Sequence, residues 1–136
     1  MIKAGILKLI VDNKPLKANG KHLIIDLYNA HHLDDIDLMR CAIHDIIKQT
    51  NTTLLFENFH PFQPSGITGV ACLAESHISV HTWPEENYAA FDIFVCGDAQ
   101  PEVAINIVKQ YFGGTERTTL LHRGNNAIET SKIAYI

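Results

Sequence analysis

The sequence predicts a two-layer α+β sandwich: a mostly antiparallel sheet with helices packed on one face. Three observations carry this expectation. Apolar or alternating runs of strand length recur between Lys21 and His122. Only two segments between them carry a helical signature. The runs ESHISVHTW and YAAFDIFVCG are joined by PEEN, a connection so short that the two must form an antiparallel hairpin.

Residues 1–19 read as an extension with one short strand, Ile6 to Val11. KHLIIDLY (21–28) is an apolar, strand-like run. Over 34–49 the apolar residues Ile36, Met39, Ile43, Ile46 and Ile47 fall on one face of an amphipathic helix, with Asp34 or Asp35 as its cap. TTLLFENF (52–59) reads as a strand, PFQPSG (61–66) as a loop rich in Pro and Gly, and ITGVACLA (67–74) as a buried strand. In ESHISVHTW (75–83) His77, Ser79 and His81 share one side while Ile78 and Val80 share the other. PEEN (84–87) is the turn and YAAFDIFVCG (88–97) the return strand. Pro101 opens a helix ending near Phe112, stopped by Gly113 and Gly114. RTTLLH (117–122) reads as the last strand, and the tail from Gly124 carries few signals.

The 136 residues fit one domain spanning 1–136, large enough to fold without disulfides or a structural metal. A net charge of -4 and the lack of any long basic run argue against nucleic acid and anionic membrane as partners. Three cysteines, Cys41, Cys72 and Cys96, form no disulfide framework, so a reducing cytoplasm is the simpler setting. Lys8 interrupts the apolar start, no small-residue cleavage site follows, and no stretch is long and apolar enough to span a bilayer.

A hairpin turn centred on Glu86 makes paired residues sum to about 172, which sets Cys96 across from Ser76 and Asp92 near His81. Ser76, His77 and Cys96 then cluster at one end of the ribbon, and His81 lies further along. Three chemistries compete. Metal binding by His77 and His81 fails on distance, because four residues of strand separate them by roughly 13 Å. A serine hydrolase lacks its elbow: Ser76 is not in a G-x-S-x-G turn, and Cys96 with a histidine has no flanking signature. The third is self-processing. A serine hydroxyl attacks the preceding carbonyl and converts amide to ester; a base removes the serine α-proton and the carboxylate leaves. The remaining dehydroalanine hydrolyses to a pyruvoyl group and ammonia. Composition alone does not choose among the three.

LAESHISVHTWPEENYAAFDIFVCG, positions 73–97, resembles the core of the small prokaryotic S-adenosylmethionine decarboxylases. HPFQPSGITGV (60–70) and GKHLIIDLYNAHHLDD (20–35) are similar to the same family, so the resemblance runs over roughly positions 20 to 123. It implies self-cleavage at Glu75–Ser76 into 1–75 and 76–136, with Ser76 becoming a covalent pyruvoyl cofactor that forms a Schiff base with substrate. It implies His81 as the processing base, Cys96 as the general acid of decarboxylation, and Thr68 as a hydroxyl that assists processing. Glu85 matches a glutamate that holds the substrate ribose, Phe62 an aromatic that stacks on adenine, and Trp83 shapes that pocket. No metal is implied. The substrate would be S-adenosylmethionine, the product an aminopropyl donor for spermidine synthesis, and the assembly a homodimer of processed protomers.

Taken singly, these residues have plainer readings: Ser76 as a strand-end serine, His81 as a solvated histidine, Glu85 as a turn residue, Phe62 and Trp83 as core aromatics. Cys41 and Cys72 read as small buried hydrophobes. His31, His32, His44, His60 and His122 read as structural or surface residues, and His77 as a shaping neighbour of the scissile bond. Asn29-Ala30-His31 and Glu86-Asn87 depart from the family pattern, the second where a Gly-containing turn is usual. Two rivals remain: the same machinery acting on ornithine or arginine, and an unprocessed regulatory paralogue.

Overall fold

The computed structural model describes residues 19–125 and the backbone of 133–135. The strand expected over Ile6 to Val11 lies outside the described residues. In chain order the elements are β1 (Gly20–Tyr28), α1 (Ile36–Gln49), β2 (Leu54–Pro61), β3 (Ile67–Leu73), β4 (Ser76–Trp83), a 3₁₀ turn (Pro84–Glu86), β5 (Tyr88–Cys96), α2 (Val103–Phe112), β6 (Thr115–Arg123) and β7 (Ile133–Tyr135). The strands form one sheet in the order β2-β3-β4-β5-β1-β6-β7, and every neighbouring pair is antiparallel.

Alternation along the strands decides which face is buried. Leu23, Ile25 and Leu27 of β1, Ile78 and Val80 of β4, and Phe91, Ile93 and Val95 of β5 are closed off from solvent. They share one core with Met39, Ile43 and Ile46 of α1 and Ala104, Val108 and Phe112 of α2. The two helices therefore cover one face of the sheet. The opposite face carries His22, Asp26, Thr68, His77, Ser79, His81, Trp83, Tyr88, Asp92 and Cys96, and no described element covers it. Asp35 caps α1 by accepting the Leu38 N–H at 3.0 Å.

The hairpin is offset by one residue from the expected pairing. Ser76 lies opposite Val95, and Asp92 opposite Ser79 rather than near His81, whose partner is Ala90. The turn is a four-residue loop, Pro84 to Asn87 between the paired Trp83 and Tyr88, so its centre falls between Glu85 and Glu86. Asn87 closes it with a left-handed φ of 53° and an N–H that donates to the Pro84 carbonyl. Asparagine tolerates that conformation through its short polar side chain, so it substitutes for the glycine expected there. Asn29, with φ 57°, takes the same conformation at the end of β1.

Cys41 and Cys72 do not behave as buried hydrophobes. Cys41 is exposed, since α1 buries Met39, Ala42 and Ile43 and turns position 41 outward. Cys72 is half-buried on the open face, because Ala71 and Leu73 on either side take the inward positions. β2 begins two residues later than expected and continues to Pro61, with a register irregularity between Leu54 and Phe56.

Candidate active site

Two groups of the sequence-predicted residues occupy opposite ends of β4. The first surrounds the Glu75–Ser76 junction. Ser76 opens β4 with φ 153°, a region that side chains other than glycine rarely adopt. The Glu75 carbonyl accepts the Cys96 backbone N–H at 3.2 Å, which extends the β4–β5 ladder by one rung. The Glu75 carboxylate accepts the Thr53 N–H at 3.0 Å, and the Thr53 carbonyl accepts the Ala74 N–H at 2.8 Å. The bond preceding Ser76 is thus held from both sides, and Cys96 reaches the open face beside it.

The second group lines a cavity of about 270 Å³ formed by Phe62, Ser65, Gly66, Thr68, His81, Thr82, Trp83 and Glu85. The structure brings five of the predicted residues together there: Phe62, Thr68, His81, Trp83 and Glu85. The Thr68 hydroxyl and His81 Nδ1 share a hydrogen bond at 3.0 Å, set by the pairing of the two residues across β3 and β4. Several hydrogen bonds fix the rim. Thr82 Oγ1 accepts the Ile67 N–H and donates to the Leu33 carbonyl, both at 2.9 Å. Asp34 accepts the Gly66 N–H at 2.8 Å, and Gly66, with φ 110°, returns its carbonyl to the Phe62 N–H. Phe62 and Trp83 are exposed, so neither is a core aromatic.

An aromatic row backs this cavity. Tyr88 stacks between Tyr28 and Trp83, with ring centroids 5.5 and 5.3 Å away, and Trp83 leans on His81 at 6.3 Å. The Tyr88 hydroxyl donates to Asp26 at 2.5 Å. Burial first, then the hydrogen bond and charge of Asp26, push the Tyr88 phenol up to about 12.

Between the two groups lies a cluster that sequence reasoning missed. Asp92, in the middle of β5, accepts from Ser79 Oγ, from His22 Nε2 at 2.5 Å and from His77 Nε2 at 3.2 Å. Arg123 of β6 donates to His22 Nδ1 at 3.1 Å and lies over the Phe94 ring. A single signal was legible: His22 and Asp92 are polar residues at outward positions of otherwise apolar strands. Their meeting depends on β1 pairing with β5, which no local pattern specifies.

The donor atoms of His22, His77 and Asp92 all lie within 4.8 Å of one another, close enough to suit a metal ion. The tautomer of His22 opposes one. A guanidinium is always a donor, so His22 Nδ1 is the acceptor and its proton sits on Nε2, where a metal would bind.

Comparison with known proteins places this geometry in a family. Residues 21–124 match the family model described as S-adenosylmethionine decarboxylase. The S-adenosylmethionine decarboxylase proenzyme of Prochlorococcus marinus (strain MIT 9313) is 47% identical over 97 residues, covering 69% of this chain and 78% of that protein. The proenzyme of Acidithiobacillus ferrooxidans (strain ATCC 53993) is 38% identical over 108 residues, covering 77% and 81%. The crystal structure of the adenosylmethionine decarboxylase from Aquifex aeolicus VF5 superposes with a TM-score of 0.75 at 31% identity, covering 86% of this chain and all of that one. With the family model spanning most of its length and the fold matching as well, the chain belongs to the S-adenosylmethionine decarboxylase family.

Proposed function

We propose that this chain is a self-cleaving, pyruvoyl-dependent S-adenosylmethionine decarboxylase whose product donates aminopropyl groups in spermidine synthesis. The observation that carries the reading is the Glu75–Ser76 junction, where a non-glycine residue at φ 153° follows a carbonyl already hydrogen-bonded to a backbone N–H. When Ser76 Oγ attacks that carbonyl, negative charge develops on the oxygen facing the Cys96 N–H. A donor already in place there stabilises the adduct without reorganisation. The C–N bond then breaks, leaving an ester and a free amine. Loss of the Ser76 α-proton releases the Glu75 carboxylate, and water removes ammonia. The "proenzyme" in the relatives' names agrees with such a cleavage.

The residues present suit a pyruvoyl group at position 76, which supplies a ketone for the substrate amine and an adjacent carbonyl that draws the electrons left by carbon dioxide. Around it the chain's own residues bind and move protons. Glu85 offers a carboxylate for the two ribose hydroxyls. Phe62 and Trp83 offer aromatic faces to a flat base and a sulfonium cation. Cys96, exposed beside Ser76, delivers the proton to carbon.

One protomer does not complete this site. His81 lies five residues along β4 from Ser76, about 17 Å at strand rise, whereas a base must come within hydrogen-bond reach of its proton. We infer a homodimer in which the uncovered sheet faces pack together. That face is apolar at its margins, with Phe56, Val70, Tyr28 and Trp83 all more than a third exposed. A two-fold axis through it sets the Ser76–Cys96 end of each protomer over the cavity of its partner.

Carboxyl-labelled S-adenosylmethionine, ornithine and arginine distinguish the substrates. Labelled carbon dioxide should come from the first alone, and from none with Ser76→Ala. Release from ornithine or arginine instead would overturn the substrate assignment. Failure to release it from any, with the chain uncut, would make the protein a non-enzymatic member of the family.

A further inference from the structure

The polar cluster at the centre of the open face takes no part in the chemistry above, yet it borders the scissile bond. Its hub is Asp92, on the strand between β4 and β1. One carboxylate oxygen accepts from Ser79; the other accepts from His22 at 2.5 Å and from His77 at 3.2 Å. Burial works against the charged carboxylate, but the hydrogen bonds from Ser79, His22 and His77 outweigh it and hold the group below its usual range. Asp92 is therefore ionised at neutral pH and accepts from all three.

His22 is fixed in one tautomer by Arg123, so its Nε2–H is committed to Asp92. His77 also meets the His22 ring edge-on and the Phe94 ring at a tilt, each with its centroid 6.0 Å away. His77 is the residue immediately after Ser76. A side chain locked at position 77 leaves the preceding residue little freedom to relax.

We propose that Asp92 is a positioning residue for self-cleavage: through the His77 imidazole it holds Ser76 in its φ 153° conformation against the Glu75 carbonyl. A non-glycine residue in that region persists only where its surroundings over-determine it. The Cys96 and Thr53 N–H groups hold the Glu75 side of the junction, and the Asp92–His77 bond holds the side after Ser76. The proposal rests on the self-cleaving reading, and it assigns Asp92 to the acyl shift, not to the later loss of the α-proton.

The test follows cleavage of freshly made chain over time in Asp92→Ala, Asp92→Asn, His77→Ala and the Asp92→Ala/His77→Ala double variant. An uncut wild type would refute the underlying reading; all other outcomes bear on Asp92. Cleavage should slow at least tenfold in Asp92→Ala. Asp92→Asn, which keeps one acceptor oxygen and the shape of the side chain, should fall between it and wild type. In the His77→Ala background, Asp92→Ala should add nothing. The uncut Asp92→Ala chain should be an amide that hydroxylamine does not split, because the step before the ester is the slow one. Melting of the same substitutions on a Ser76→Ala background, where nothing is cut, separates lost positioning from lost folding. If Asp92→Ala does not fold there, Asp92→Asn carries the comparison. Wild-type cleavage in Asp92→Asn and Asp92→Ala, a full additional effect in the His77→Ala background, or accumulation of a hydroxylamine-sensitive ester would each overturn the proposal.

Discussion

Cleavage and turnover should separate at Cys96. Its backbone N–H faces the Glu75 carbonyl, while its thiol reaches the open face. Cys96→Ser keeps the N–H and should still cleave. Once cut, it should bind substrate nearly normally and turn over about 10²–10⁴-fold more slowly, the range of a lost general acid. Single-turnover and binding measurements on the processed variant check this, and wild-type turnover would assign the proton to another group. Tyr88 supports the cavity from behind. Burial, then its hydrogen bond to Asp26, raises its phenol to about 12, so the folded protein retains a proton there that an unfolded chain releases near its usual value of 10.0. That contribution to stability is complete below the unfolded value and disappears as pH rises through the folded one. Ultraviolet phenolate titration should show a late step near pH 12 that Tyr88→Phe removes. A difference titration with no late step in wild type would contradict the Asp26–Tyr88 bond.

The joint between α2 and β6 is set by Gly114, with φ 88° and a position where a Cβ would come 2.4 Å from the Tyr28 backbone oxygen. Both conformation and space exclude a side chain. Gly114→Ala should cost about 1–3 kcal/mol and lower Tm by about 5 °C or more. Gly97 is the control: its φ is 70° but nothing lies within 4 Å, so Gly97→Asn should melt close to wild type. Thermal denaturation of both variants decides the point. Gly113 and Gly114 were legible in the sequence as a helix stop, and so was each strand whose period was clear. The β4–β5 hairpin was legible to one residue, because a short turn leaves few registers. The remainder was not, for a physical reason. β1 sits between β5 and β6, a pairing across about 70 residues of chain that no local pattern encodes. Without it the His22–Asp92 contact was invisible. The cysteines lie outward because burial in a strand or helix depends on which face a position takes: Cys72 falls between the inward-facing Ala71 and Leu73, and Cys41 lies outside the buried stripe of Met39, Ala42, Ile43 and Ile46.

The motif named most of the candidate residues, but it did not reveal that they form two separate groups. Thr68, His81, Trp83, Glu85 and Phe62 line one cavity, and Ser76 with Cys96 lies at the far end of β4. A shared site between two protomers makes a prediction that a single-chain site does not. Ser76→Ala spoils one group and Glu85→Gln the other, so each homodimer should be inactive or nearly so. Co-expressed, they should form mixed dimers with one intact site and recover activity, up to about half that of wild type per mixed dimer. No recovery despite mixed dimers would place the whole site within one protomer.

The central claim is that the chain makes its own cofactor by cutting before Ser76, and the intact mass of the purified protein tests it most directly. Two pieces should appear, residues 1–75 ending in an ordinary carboxylate and residues 76–136 lacking a free amine. The second should be lighter by one ammonia than simple hydrolysis would leave it. A single uncut chain, or a second piece that begins with an unaltered serine, would contradict the account.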